Sequence, residues 1–225
     1  MRNLLVVAVL CALTAIAASQ QPGKFGPSSV WQMSPTFLGA FHAACDSQPQ
    51  GHRYSDCFLA QMSKAGASAD AVGFTRELNK HSPDLGIMTS FQHVGPVDVA
   101  WVTYPLHQPS NYGLLFVNGQ PGMVNAEDLK LLDQKALQQS FQFQGVKNQF
   151  PKVQLFSGDR DGRTWPNSQK GPNGGVQFTL GYALRNGCYT CAKAGFALFN
   201  WNFDASGKFT GTTFQGLTPA PLPGS

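Results

Sequence analysis

Cys188 and Cys191 stand three apart in RNGCYTCAKAG, the spacing found in redox-active dithiols, in halves of metal sites and in short-loop disulfides. A redox pair needs a helix N-terminus at its cysteines, where the dipole and free N–H groups stabilise the attacking thiolate. Here the flanking segments, 176–185 and 195–203, alternate apolar and polar residues as strands do. No histidine follows the motif, as c-type haem attachment requires, and no second CxxC or nearby His pair completes a zinc site. The motif therefore reads as a staple at the tip of a hairpin, with Tyr189 presented between its cysteines as a contact residue. The alternative is a thiol–disulfide oxidoreductase using Cys188 and Cys191.

A second set of chemistry-bearing residues lies in the stretch SGDRDGRTWPNSQKGPNGG at 157–175. It has no periodicity, and a loop of that length in a domain is usually either functional or mobile. Arg160, Arg163 and Lys170 surround Trp165, a mixture that suits anions or sugars through bidentate hydrogen bonds, stacking and cation–π contact. These four, with Tyr189, are the candidate binding residues. The competing reading is an insertion whose tryptophan packs on a sheet.

Histidines supply a third possibility. If Gly95-Pro96 forms a two-residue turn, residues whose numbers sum to 191 face each other, so His93 opposes Asp98 and Asp84 opposes His107. His81 can join the second pair. A trio of His81, Asp84 and His107 is the minimum for a catalytic metal and two ligands are too few for a closed site, so a metal-assisted hydrolase is a weak alternative. No G-x-S-x-G occurs, and the D-x-D-G at 159–162 lacks the rest of a calcium loop. No resident cofactor is expected.

The opening MRNLLVVAVLCALTAIAAS has a charged start, an apolar run and small residues before its end. That is the pattern of a secretory signal over residues 1–19, which places the protein outside the cytoplasm, periplasmic or secreted. No later stretch reaches the roughly 18 consecutive apolar residues of a membrane helix, so no transmembrane segment is expected after cleavage. With Cys11 removed, four cysteines remain. In an exported chain they read as two disulfides, and proximity favours Cys45 with Cys57 and Cys188 with Cys191.

The formal charge of +4 is too mild to argue for nucleic acid. It is uneven, however, with eight Lys/Arg against three Asp/Glu from Val146 onward. That bias favours an anionic or carbohydrate component of the cell envelope, or another exported protein, as partner.

The elements that must position these groups follow from periodicity and punctuation. Residues 20–33 are polar with two Pro-Gly-type breaks and read as a flexible leader. Helices are expected from Ser34-Pro35, from Ser55, and from Ser68 to His81, where Ala71, Phe74, Thr75 and Leu78 share one face. Strands follow at 85–93, 97–104 and 112–117. One long helix from Asn125 to about Gly145 should lay Leu129, Leu132, Ala136 and Phe143 on the sheet. Strands at 152–156, 176–185, 195–203 and 208–214 complete the chain before the Pro-rich tail at 218–225. The expectation is one α+β domain over 34–217, helical at 34–82, with a mainly antiparallel sheet and one packed helix at 83–217. As function it is a non-enzymatic, exported binding module, envelope-associated or inhibitor-like.

Overall fold

Residues 24–47, 52–82, 84–107, 112–157 and 165–219 are described by the computed structural model. The expected signal peptide lies outside them, as does most of the expected tail. Three helices, α1 (Phe37–Cys45), α2 (His52–Lys64) and α3 (Ala69–His81), precede a run of antiparallel strands, the expected α+β arrangement. The Ser68 hydroxyl caps α3 by accepting from the Ala71 N–H at 3.0 Å. Ala71, Phe74, Thr75 and Leu78 are all buried on its inner face. Helix α1 begins three residues after the expected Ser34 cap and α2 three residues before the expected start at Ser55, and the Cys45–Cys57 disulfide joins them with Cα atoms 5.9 Å apart.

Residues 24–33 are not a loose leader. They form a strap in which Pro27–Ser29 makes a 3₁₀ turn, the Trp31 N–H donates to the Met88 carbonyl at 2.9 Å, and Phe25 meets Phe74 edge-on at 5.1 Å. The polar composition concealed two aromatic side chains, and burying them offsets the ordering of a short segment.

The first sheet is a meander of β1 (Ile87–Gln92), β2 (Asp98–Thr103), β3 (Tyr112–Val117) and β4 (Met123–Asn125). Every residue of β2 is buried, because this sheet is the middle of three layers. On one side Met88, Ala100, Val102, Leu115 and Val117 pack on Phe74 and Leu78 of α3. On the other, Val99, Trp101, Leu114 and Phe116 face the second sheet.

That second sheet contains β5 (Val153–Phe156), β6 (Asn167–Lys170), β7 (Val176–Asn186), β8 (Lys193–Phe203) and β9 (Phe209–Thr218). Its order is β5-β7-β8-β9, and β6 shares the β5 edge of β7, pairing Lys170 with Val176 while β5 pairs Val153 with Asn186. The alternation read in β7 and β8 is real. Phe178, Leu180, Tyr182 and Leu184 point inward with Ala197, Phe199, Trp201 and Phe203, and the Phe116 ring of the first sheet lies 4.7 Å from that of Phe178.

The single long helix does not form. In its place are a 3₁₀ turn at Leu129–Leu131 and two short helices, α4 (Gln134–Gln139) and α5 (Phe141–Gln149). Asp128, Asp133 and Ser140 each accept from a backbone N–H two or three residues on, so each opens a new segment instead of continuing the last. Leu132, Leu137 and Phe143 are nevertheless buried against the inter-sheet core. Expected to be structureless, 157–175 contains β6 and a 3₁₀ turn at Pro172–Gly174. Strand β9 also runs on to Thr218, past the expected end at Phe214.

Candidate functional site

The hairpin joining β7 to β8 ends in the CxxC. Gly187 takes the left-handed conformation a tight exit from β7 requires, with φ of 97°. Cys188 and Cys191 are disulfide-bonded with Cα atoms 5.0 Å apart. The loop is also held from below: the Asn186 side chain accepts from the Lys152 N–H at 2.9 Å, and Gln154 donates to the Gly187 carbonyl at 3.2 Å. Strand β8 follows the second cysteine, so no helix dipole acts on either sulfur.

This rigid tip fixes Tyr189 between two partners. The Arg185 guanidinium lies 5.5 Å from its ring centre, and Phe156 of β5 meets it edge-on at 6.1 Å. Arg185 is itself oriented by donating from Nη1 to the Cys191 carbonyl at 2.9 Å. One strand away, the Lys193 ammonium sits 4.7 Å over the Phe196 ring. Because Arg185 pairs with Lys193 and Ala183 with both Phe196 and Phe156, these rings and cations all lie on the outer face of the second sheet.

The same face continues towards the other end of β7 as a field of amides and hydroxyls. Gln169 donates to Gln177 at 2.9 Å, and Gln177 donates to Asn202 at 2.7 Å. Thr179 donates to Asn200 at 2.8 Å in the adjacent row. Between the two regions Gly181 and Gly216 flank Leu198. Inner positions of these strands are apolar and buried, whereas outer ones present planar polar groups at one end and rings with cations at the other.

The proposed loop cluster is not gathered among the described residues. Arg160 and Arg163 lie outside them. Trp165 is turned inward against the inter-sheet core, 6.4 Å from the Trp101 ring, which is the packing role weighed against a ligand role. Lys170 is exposed on β6 beside the start of β7. Tyr189 lies beyond the other end of that strand, roughly 30 Å away at about 3.3 Å per residue.

Both expected His–Asp pairs form, the first of them in the register the turn implied. His93 Nδ1 lies 2.7 Å from Asp98 Oδ1, and His107 Nδ1 lies 3.5 Å from Asp84 Oδ1. A bulge at Thr89 changes the sum of facing numbers from 191 to 190 farther from the turn. His81 turns instead to Glu77 at 3.5 Å, and no three of His, Cys, Asp and Glu come together to hold a metal ion among the described residues.

What the sequence reading missed is Asn118. Its backbone is left-handed at φ 66°, its amide donates to Asp98 Oδ2 at 2.6 Å and to the Phe25 carbonyl at 2.8 Å, and its Oδ1 accepts from the Phe25 N–H at 2.7 Å. Asn118-Gly119 is a turn signal in the sequence, but nothing there points to its partner in the strap. Around this hub the β1–β2, β3–β4 and β8–β9 turns meet at a cleft of about 770 Å³. No family model, curated protein or solved structure matches the chain.

Proposed function

We propose that the protein is an exported binding module that holds an anionic carbohydrate polymer of the cell envelope on the outer face of its second sheet. The observation that carries this reading is the continuity of the Phe156, Tyr189 and Phe196 rings, with Arg185 and Lys193 beside them, into the amide rows of Gln177, Asn200 and Asn202. Planar amides bond adjacent sugar hydroxyls, rings stack on the apolar faces of the sugars, and the two cations offset carboxylate or phosphate groups. The basic bias of the C-terminal part acts in the same direction. Two disulfides support an oxidising compartment, and among the described residues no helix is long and apolar enough to cross a membrane.

The test is titration of the protein with a polyuronate and with a neutral glucan at low and moderate salt. Preference for the polyuronate that weakens with salt and falls at least about tenfold in Tyr189→Ala and in Lys193→Gln is expected. Equal binding by both variants, or no binding to either polymer, would overturn the reading. The oxidoreductase alternative draws less support, since the CxxC sits between strands.

A further inference from the structure

The hub cleft makes no use of the outer sheet face and carries its own chemistry. We infer that it is a catalytic site in which His93 is the general base for hydrolysis of a carboxylic ester. Four described histidines face a carboxylate, but the acids facing His42, His81 and His107 are largely or partly exposed. Asp98 is different: its side chain is 8% exposed, whereas that of His93 is 76% exposed. A buried acid behind an accessible imidazole is the arrangement that orients a catalytic base.

The acid has no freedom to turn. Asp98 Oδ1 accepts from the Val94 N–H at 3.1 Å as well as facing His93 Nδ1 at 2.7 Å, and Oδ2 accepts from Asn118 at 2.6 Å. With both oxygens engaged as acceptors, the neutral imidazole carries its proton on Nδ1 and its lone pair on Nε2. The ring lines the cleft together with Phe25, Phe91 and Pro96, while Gln120 and Ser206 supply polar groups. A volume of about 770 Å³ falls within the range of small-molecule sites. Asn118, whose backbone is left-handed at φ 66°, lines it as well.

In the reaction, His93 Nε2 takes a proton from water as the water oxygen bonds to the ester carbonyl carbon. The tetrahedral species then expels the alcohol, whose oxygen receives that proton as the C–O bond breaks. The products are a carboxylic acid and an alcohol, with no change of oxidation state.

The experiment uses the secreted chain with 4-nitrophenyl acetate as probe, against imidazole at equal concentration, alongside ¹⁵N spectra of the histidine rings. Hydrolysis above the imidazole control that falls by about 10² to 10⁴-fold in His93→Gln is expected, with Nδ1 of His93 protonated in the neutral ring. Polyuronate binding by His93→Gln should be unchanged, which separates this site from the outer face. Hydrolysis no faster than imidazole, full activity in His93→Gln, or a proton on Nε2 would each overturn the inference. The spectra need no variant, so the inference is testable even if a substitution disturbs folding.

Discussion

Trp201 donates its indole N–H to the Tyr182 hydroxyl at 3.0 Å, and that hydroxyl donates to the Ala126 carbonyl at 2.7 Å, all within the inter-sheet core. Neighbouring strands of one sheet are thereby tied to the segment that leaves the other.

Removing the hydroxyl strands a buried donor and a buried acceptor, so Tyr182→Phe should cost about 2 to 6 kcal/mol, each orphaned group contributing about 1 to 3. Urea unfolding of the two proteins measures it. A loss below about 0.5 kcal/mol would mean the groups find other partners.

Gly86 lies where α3 crosses the first sheet. A Cβ there would stand 2.6 Å from Leu78 Cδ2 and 2.7 Å from both Tyr104 Cε1 and Val102 Cγ1. Gly86→Ala should therefore destabilise by about 1 to 3 kcal/mol through overpacking. Calorimetry of the variant would show a lowered Tm.

The two disulfides close loops of different length, with sequence separations of 12 and 3. By chain entropy the Cys45→Ser/Cys57→Ser variant should lose about 3 kcal/mol and the Cys188→Ser/Cys191→Ser variant about 2. Denaturant unfolding of the two double variants gives the order. The reverse order would mean that the hairpin tip is strongly coupled to the sheet.

With a strand after Cys191 and no helix to favour its thiolate, the Cys188–Cys191 bond should have a reduction potential below about −300 mV. Equilibration against thiol buffers in the Cys45→Ser/Cys57→Ser background measures it. A value near −200 mV would transfer the functional reading to thiol–disulfide exchange.

Burial, followed by the nearby carboxylates of Glu127 and Asp84, pushes the Tyr104 hydroxyl well above the ordinary tyrosine range. In the unfolded chain the same group ionises near pH 10. Above that pH the unfolded state has released a proton that the folded state retains, so stability falls as pH rises and is unaffected by this group below it. Tyr104→Phe should flatten the alkaline limb of a stability–pH curve by up to one proton, and an unchanged slope would assign the limb to other groups.

Local signals made β7, β8 and α3 legible: strict alternation in the first two, and Ser68 with Asp70 opening the third. The break at Asp133 and Ser140 was written in the same chain, but the apolar stripe through Leu132 and Phe143 masked it, since those residues reach the core from separate segments. Trp165 was read as a ligand residue because its neighbours in sequence are charged, while its neighbour in space is Trp101. The His93–Asp98 pair followed from turn register alone. Asn118 did not, because its partner Phe25 arrives from the strap, and no local pattern announces a contact across that much chain.

The three-layer order also governs when the protein can fold. Phe116 of the middle layer packs on Phe178, Trp201 and Phe203, and the Gln120 N–H donates to the Gly207 carbonyl. Half of the inter-sheet core therefore has nothing to bury against until the last third of the chain has been made. Contacts this distant in sequence form slowly. The inter-sheet core thus closes only when the C-terminal strands arrive, whereas the cores around Phe41 and Phe74 draw entirely on residues 25–123 and are complete in chain that is made earlier.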